Sequence, residues 1–203
     1  MSGVAGALLA AGSSSRLGRP KAFLELDGRT LLRRAAEELA AVVAPLLVVV
    51  PPQSEPFARE LAGLDVELVI NRDPTRGVGS SIAVAARALR RSAPEAGGLL
   101  LLHVDQPRVD RALLARLVGA AGEAIERSAA CRASDGTIGP PSLFRRELLA
   151  DLAELSGDHG ARGLLERERD RAPSRLVTVL APEAFVDIDT AADYARLIGS
   201  GNP

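Results

Sequence analysis

Cysteine is nearly absent from this sequence: 203 residues contain one, Cys131. A lone cysteine cannot close an internal disulfide or build a multi-cysteine zinc site. The chain therefore suits a reducing compartment, and the cytoplasm is its expected location. The simplest role for Cys131 is a small buried apolar side chain. Histidine is almost as scarce, with only His103 and His159, too few for a histidine-based metal centre. Aromatic residues make up 2% of the chain and tryptophan is missing, which removes the usual platform for stacking nucleic-acid bases. No sign of charge dominates either. The formal net charge is -1, so no long-range field draws the chain to nucleic acid or to an anionic membrane. The longest apolar stretch, Leu39 to Val50, is broken by Pro45 and falls short of the roughly 20 residues needed to span a bilayer. The first residues are apolar but lack a basic flank, so they do not read as a signal peptide.

What is present is ordinary for a globular chain: 47% apolar and 25% charged residues. The length suits one domain, residues 1–203. Short apolar runs at Val4–Ala11, Leu46–Val50, Val66–Ile70 and Leu99–Val104 read as buried strands. Between them, apolar residues recur at helical spacing after Thr30, near Glu55 to Leu61 and from Gly79 onward. Further helices are expected at Leu113–Val118, Leu148–Leu155 and Thr190–Ile198. Ser128–Arg132, Pro141–Phe144, Leu176–Leu180 and Phe185–Ile188 read as strands. Alternating strands and helices predict a mostly parallel sheet with helices on both faces and a small antiparallel addition.

Five segments carry chemistry. The loop Gly12-Ser13-Ser14-Ser15-Arg16-Leu17-Gly18-Arg19-Pro20-Lys21 follows the first strand, where ligands of doubly wound sheets bind. Its backbone N–H groups can approach a phosphate or a base edge, and Arg16 and Lys21 can hold the outer phosphates of an NTP. The spacing is not that of a Walker A loop, and a solvated turn with two exposed cations is the plainer reading. Gly77-Val78-Gly79-Ser80-Ser81 opens a helix whose first N–H groups could bind a ligand or simply be capped. His103-Val104-Asp105-Gln106-Pro107 ends the most apolar strand. A carboxylate there calls for a cation, and Mg²⁺ commonly takes one or two protein carboxylates. Val186-Asp187-Ile188-Asp189-Thr190 places two acids on one face of a strand. Either could be a second magnesium ligand, or Asp189 could cap the last helix. Gly157-Asp158-His159-Gly160-Ala161-Arg162 is a polar turn opening a helix.

In order, these segments resemble one family. Leu9-Ala10-Ala11-Gly12 with Ser14, Arg16-Leu17-Gly18 and Lys21 looks like the signature loop of the MobA-like NTP transferases. Asn71 with Gly77–Ser81, Asp105-Gln106-Pro107, Gly157-Asp158 with Gly160-Ala161-Arg162, and Asp187-Ile188-Asp189-Thr190 resemble its molybdenum cofactor cytidylyltransferase branch, over roughly Val4 to Leu197. The resemblance implies a Rossmann-like α/β fold of the glycosyltransferase-A type. It implies that backbone at Leu9, Ala10, Ala11 and Gly12 and around Gly79 and Ser80 contacts the nucleobase. Arg16 and Lys21 would bind the triphosphate, Asp105 and Asp189 would hold Mg²⁺, and Asp158 and Arg162 would meet the acceptor. Alanine at 11, where guanylyltransferases of the superfamily tend to carry glycine, favours CTP. The branch usually has Gly-His-Pro before its Leu-Phe strand, and this chain has Gly139-Pro140-Pro141 instead.

The expected reaction is transfer of CMP from CTP to a small phosphorylated acceptor such as molybdopterin, with pyrophosphate leaving and a molybdoenzyme as a candidate partner. A phosphate monoester is already ionised at pH 7, so no general base is needed, in keeping with the scarcity of histidine. Alternatives are a sugar or alcohol phosphate acceptor, GTP as donor, a non-catalytic carrier of the molybdenum cofactor, or a plain nucleotide binder. Two acidic strand ends argue against the last.

Overall fold

The computed structural model describes residues 3–12 and 20–199. Along the chain come β1 (Val4–Leu9), β2 (Glu25–Leu26), β3 (Arg29–Thr30), α1 (Leu31–Ala40), β4 (Leu46–Val50), α2 (Glu55–Glu60), β5 (Glu67–Ile70) and α3 (Val78–Ser92). They are followed by β6 (Gly98–His103), α4 (Arg111–Ala121), β7 (Ser128–Arg132), β8 (Ile138–Arg145), α5 (Leu149–Ala153), α6 (Arg162–Arg171), β9 (Leu176–Leu180) and α7 (Ala191–Gly199).

One seven-stranded sheet runs in the order β5-β4-β1-β6-β8-β7-β9, and β2 and β3 form a separate hairpin. All six residues of β1 are buried, as its central place between β4 and β6 requires, and it pairs with both in parallel. Strand alternation splits the core in two. Leu8, Val48, Leu100 and Leu102 pack with Leu32, Leu39 and Leu117 of α1 and α4. Ala7, Val49, Leu99 and Leu101 pack with Ile82 and Leu89 of α3 and Leu152 of α5. Each leucine so buried contributes about 2 kcal/mol. Gly6 permits the close approach of the chain after α1, since a Cβ there would lie 2.5 Å from Val43 Cγ2. Thr30 caps α1 by accepting from the Arg33 N–H at 3.0 Å, and Asp110 caps α4 by accepting from the Leu113 N–H at 2.9 Å.

The antiparallel addition is part of the main sheet. β8 runs against both β6 and β7, and β9 returns parallel to β7. This reversal brings the start of β8 to the same end of the sheet as the ends of β1 and β6. The expected strand at Phe185–Ile188 is not formed. Pro182–Phe185 is a 3-10 turn and no ladder follows it. The backbone of this segment is satisfied elsewhere: the Ala184 carbonyl accepts from the Gln106 side chain, and the Ile188 N–H donates to the Asp105 carbonyl at 3.2 Å. Among the described residues, no helix is long and apolar enough to cross a membrane.

Candidate active site

The ends of β1 and β6 open on a cleft of about 880 Å³, lined by Leu9, Ala10, Ala11, Gly12, Lys21, Asp105 and Asp189 among others. Lys21 starts a 3-10 turn fixed by three backbone bonds, Phe23 N–H to Pro20, Leu24 N–H to Lys21 and Leu31 N–H to Leu24. Buried Ala22 and Leu24 anchor the turn from below. The Lys21 ammonium donates to Asp105 Oδ2 at 2.8 Å and to Asp189 Oδ1 at 2.6 Å. Three points remote in sequence thus meet at one place.

Asp189 reaches Lys21 because other groups cap α7. The Asp193 carboxylate accepts from the Asp189 and Thr190 N–H groups at 3.1 and 2.8 Å, while Thr190 Oγ1 accepts from the Asp193 N–H at 3.2 Å. The Thr190 hydroxyl also donates to this carboxylate at 2.8 Å, and that bond, followed by the one from the Thr190 N–H, holds the Asp193 carboxyl down to about 2. Of the two roles open to Asp189 in the sequence, the cap therefore falls to Thr190 and Asp193, and the Asp189 carboxylate faces the cleft.

Burial disfavours the Lys21 charge, but Asp105 and then Asp189 outweigh it, so its ammonium is held above the ordinary lysine value. His103 is pushed the other way by burial, with Lys21 adding to the effect, and is uncharged at neutral pH. Asp187 lines the same cleft. Although its residue surface is open to solvent, loss of water around the carboxyl, with repulsion from Asp105 and Asp189, pushes it up to about 6.

A second cleft of about 670 Å³ adjoins the first. Gly139, Pro140, Phe144, Arg162 and Phe185 contribute to its walls. His103, Asp158 and Asp187 line both clefts. Gln106, which spacing alone did not single out, holds the junction together. Its side-chain amide donates to the carbonyls of Ala184 at 2.6 Å and Pro140 at 3.0 Å, and its Oε1 accepts from the His103 N–H at 3.3 Å. Pro140 lacks an N–H but serves through its carbonyl. The signal for Gln106 was its place directly after the strand-end acid.

Asn71, at the end of β5, is buried and donates to Ser80 Oγ and Ser81 Oγ at 2.9 and 3.0 Å. Around it, Gly77, Val78 and Ser81 line the first cleft. Gly79 and Ser80, expected at the nucleobase, lie behind that wall. The Gly79 N–H is spent on the Gly157 carbonyl at 2.9 Å, and the Ser80 N–H on Gly77 at 3.1 Å. Arg16, expected on the triphosphate, lies outside the described residues. Asp158 and Arg162, expected at the acceptor, line the second cleft, and Asp158 lines the first as well.

The donor set suits a hard divalent cation. Among the described residues, no group of three or more His, Cys, Asp or Glu side chains could hold a metal alone. Two carboxylates nevertheless converge on one cationic centre, the Lys21 ammonium, and Mg²⁺ needs no more, since waters and phosphate oxygens complete its shell.

The sequence matches a protein-family model, the MobA-like NTP transferase domain, over residues 6–172. A protein of Paenarthrobacter nicotinovorans named nicotine blue oxidoreductase is 33% identical over 96% of both chains. A molybdenum cofactor guanylyltransferase of Rhizobium meliloti is 36% identical over 54% of this chain and 49% of its own. Among solved structures, Rv0371c of Mycobacterium tuberculosis superposes with a TM-score of 0.75 at 31% identity, covering 98% of each chain. A manganese complex of the same mycobacterial protein gives a TM-score of 0.76 at 30% identity, over 98% of this chain and 99% of that one.

Proposed function

This chain belongs to the MobA-like NTP transferase family and is a nucleotidyltransferase, and on that premise we propose that it moves CMP from CTP to a phosphorylated acceptor of the molybdopterin type. One observation carries the reading: Lys21, Asp105 and Asp189 converge at the mouth of a cleft walled on its other side by Leu9–Gly12 and by Gly77, Val78 and Ser81. A cation between two acids at the end of a parallel sheet suits a metal-bound triphosphate.

Residues 1–203 act as one nucleotidyltransferase domain in the cytoplasm. Backbone at Leu9, Ala10, Ala11 and Gly12 meets the base, and Ala11 favours cytosine over guanine. Arg16 and Lys21 take the β- and γ-phosphates. Asp105 and Asp189 would hold the divalent metal, taken as Mg²⁺, and the chemistry it would supply there is neutralisation of phosphate charge. The manganese complex of the similar mycobacterial protein supports the use of a divalent ion. The acceptor lies in the second cleft against Asp158 and Arg162, and its ionised phosphate attacks the α-phosphorus in line as pyrophosphate leaves. Lys21 neutralises charge on the departing pyrophosphate, and no residue need remove a proton. The product would pass to a molybdoenzyme.

GTP is the second reading for the donor, because the Rhizobium meliloti relative is named a guanylyltransferase. The test is pyrophosphate release with each of the four NTPs and molybdopterin, with and without Mg²⁺. CTP-selective, metal-dependent release is expected. GTP selectivity would replace the donor, release only with a sugar or alcohol phosphate would replace the acceptor, and molybdopterin binding without any NTP turnover would leave a carrier.

A further inference from the structure

The loop at 156–158 lies between the two clefts and rests directly on the first turn of α3. Gly79 makes the contact possible. A Cβ there would stand 2.9 Å from the Gly157 carbonyl oxygen and from the backbone of Ser156, with no flexible side chain to give way. Gly77 does the same one step earlier: its added Cβ would strike Asp158 Oδ1 and the Gly157 carbonyl. Its φ of +84° also suits glycine alone. The Gly79 N–H then donates to the Gly157 carbonyl at 2.9 Å. Ser80 braces this seat from behind, donating its hydroxyl to the Gly77 carbonyl at 2.7 Å while accepting from Asn71 at 2.9 Å.

The direction of these bonds decides what the glycines do. A donor N–H already held by a carbonyl is not available to a nucleobase. Gly79 and Ser80 are buried, and the residues that face the first cleft are their neighbours Gly77, Val78 and Ser81. The loop they support carries Asp158, which lines both clefts, and leads into Arg162 at the start of α6, which lines the second. We propose that Gly79 and Ser80, with Gly77, are positioning residues for the acceptor: they form the seat of the 156–158 loop and through it set Asp158 and Arg162. The proposal rests on the assignment of the two clefts to donor and acceptor.

Two variants test it, Gly79→Ala and Ser80→Ala, with two readouts each. One is the Kd for CTP with Mg²⁺ in the absence of acceptor, and the other is kcat/KM for molybdopterin at saturating CTP. A displaced loop lowers acceptor kcat/KM by roughly tenfold to a hundredfold for Gly79→Ala and by less for Ser80→Ala, since an ångström of misplacement has effects of that order. The CTP Kd should change by less than about threefold in both. Equal loss of CTP binding would overturn the proposal by assigning these residues to the donor, and unchanged acceptor kinetics would overturn it too. If Gly79→Ala fails to fold, Ser80→Ala decides alone, because it adds no bulk. Unmodified protein is the control: failure of the wild-type chain to bind CTP would instead sink the reading on which the proposal rests.

Discussion

Lys21 and Asp105 stand 84 positions apart in sequence and 2.8 Å apart in space, and their ion pair joins the loop after β1 to the end of β6. Asp189 completes the bridge from 168 positions away. The lysine is thereby aimed into the cleft before any ligand arrives. Lys21→Ala should lower kcat/KM for the NTP by about a hundredfold through loss of charge on the leaving group, measured as pyrophosphate release. The variant should remain folded by circular dichroism, because one side of the bridge, Asp189, is largely exposed.

Asp105→Ala removes the more sheltered of the two candidate metal ligands. Turnover should fall by on the order of a hundredfold or more, and raising Mg²⁺ should restore little of it. Near-normal activity would take Asp105 out of the mechanism.

Asp187 gives a pH signature of its own. Its carboxyl is raised to about 6 in the folded chain from an ordinary 3.8. A group raised on folding contributes its stability below the unfolded value and loses it as pH rises through the folded one. Wild-type stability should therefore decline between about pH 4 and 6 relative to Asp187→Asn. The difference should stay within about 1 kcal/mol, because the residue is open to solvent. Urea unfolding of both proteins across that range would show it, and parallel pH curves would refute it.

Asn71→Ala should destabilise by about 1–3 kcal/mol in urea unfolding, because it strips buried Ser80 and Ser81 of a donor and the Asp73 N–H of its acceptor. The same change should disturb the α3 turn and so reduce turnover more than stability alone explains.

Arg145 and Glu168 tie β8 to α6 by two bonds of 3.0 Å, and both side chains are about nine-tenths buried. Glu168→Ala leaves a sheltered guanidinium with only the exposed Glu147, and should lower stability by about 3 kcal/mol. The double change Arg145→Met with Glu168→Leu should recover much of that loss, again by urea unfolding.

The parallel half of the fold was legible because its strands are short apolar runs closed by a turn residue or an acid, Gly12 after β1, Pro51-Pro52 after β4, Asn71 after β5 and Asp105 after β6. Leu46–Val50 falls where the pattern put it, and so, beyond the reversed strand, do Ser128–Arg132 and Leu176–Leu180. Phe185–Ile188 alternates like a strand yet is not one, since Gln106 and the Asp105 carbonyl take its hydrogen bonds. Periodicity reports which side chains are buried, and it is silent on which backbone partner wins. Residue chemistry pointed to Asp105, because charge at a strand end needs a counter-charge, but it left Asp187 and Asp189 open, and the family resemblance was needed to single out Lys21 and Asp189. It could not separate Gly79 and Ser80 from Val78 and Ser81, since which residue of a turn faces a cleft depends on the loop packed behind it. Gln106 stood in the sequence as part of the Asp105-Gln106-Pro107 motif, but its bracing role was not legible, as an amide that joins three segments leaves no periodic trace.

The reversed course of β8 also has an architectural consequence. The turn that joins it to β7, residues 133–137, contributes to the walls of neither cleft, while β1, β6 and the start of α3 frame the first. Residues could be added to or removed from that turn without shifting a single ladder bond in the parallel half. Changes to the 156–158 loop have no such freedom, because it leans on both sides at once. The molecule thus keeps one replaceable turn away from its clefts and one loop whose backbone is fixed against Gly77 and Gly79.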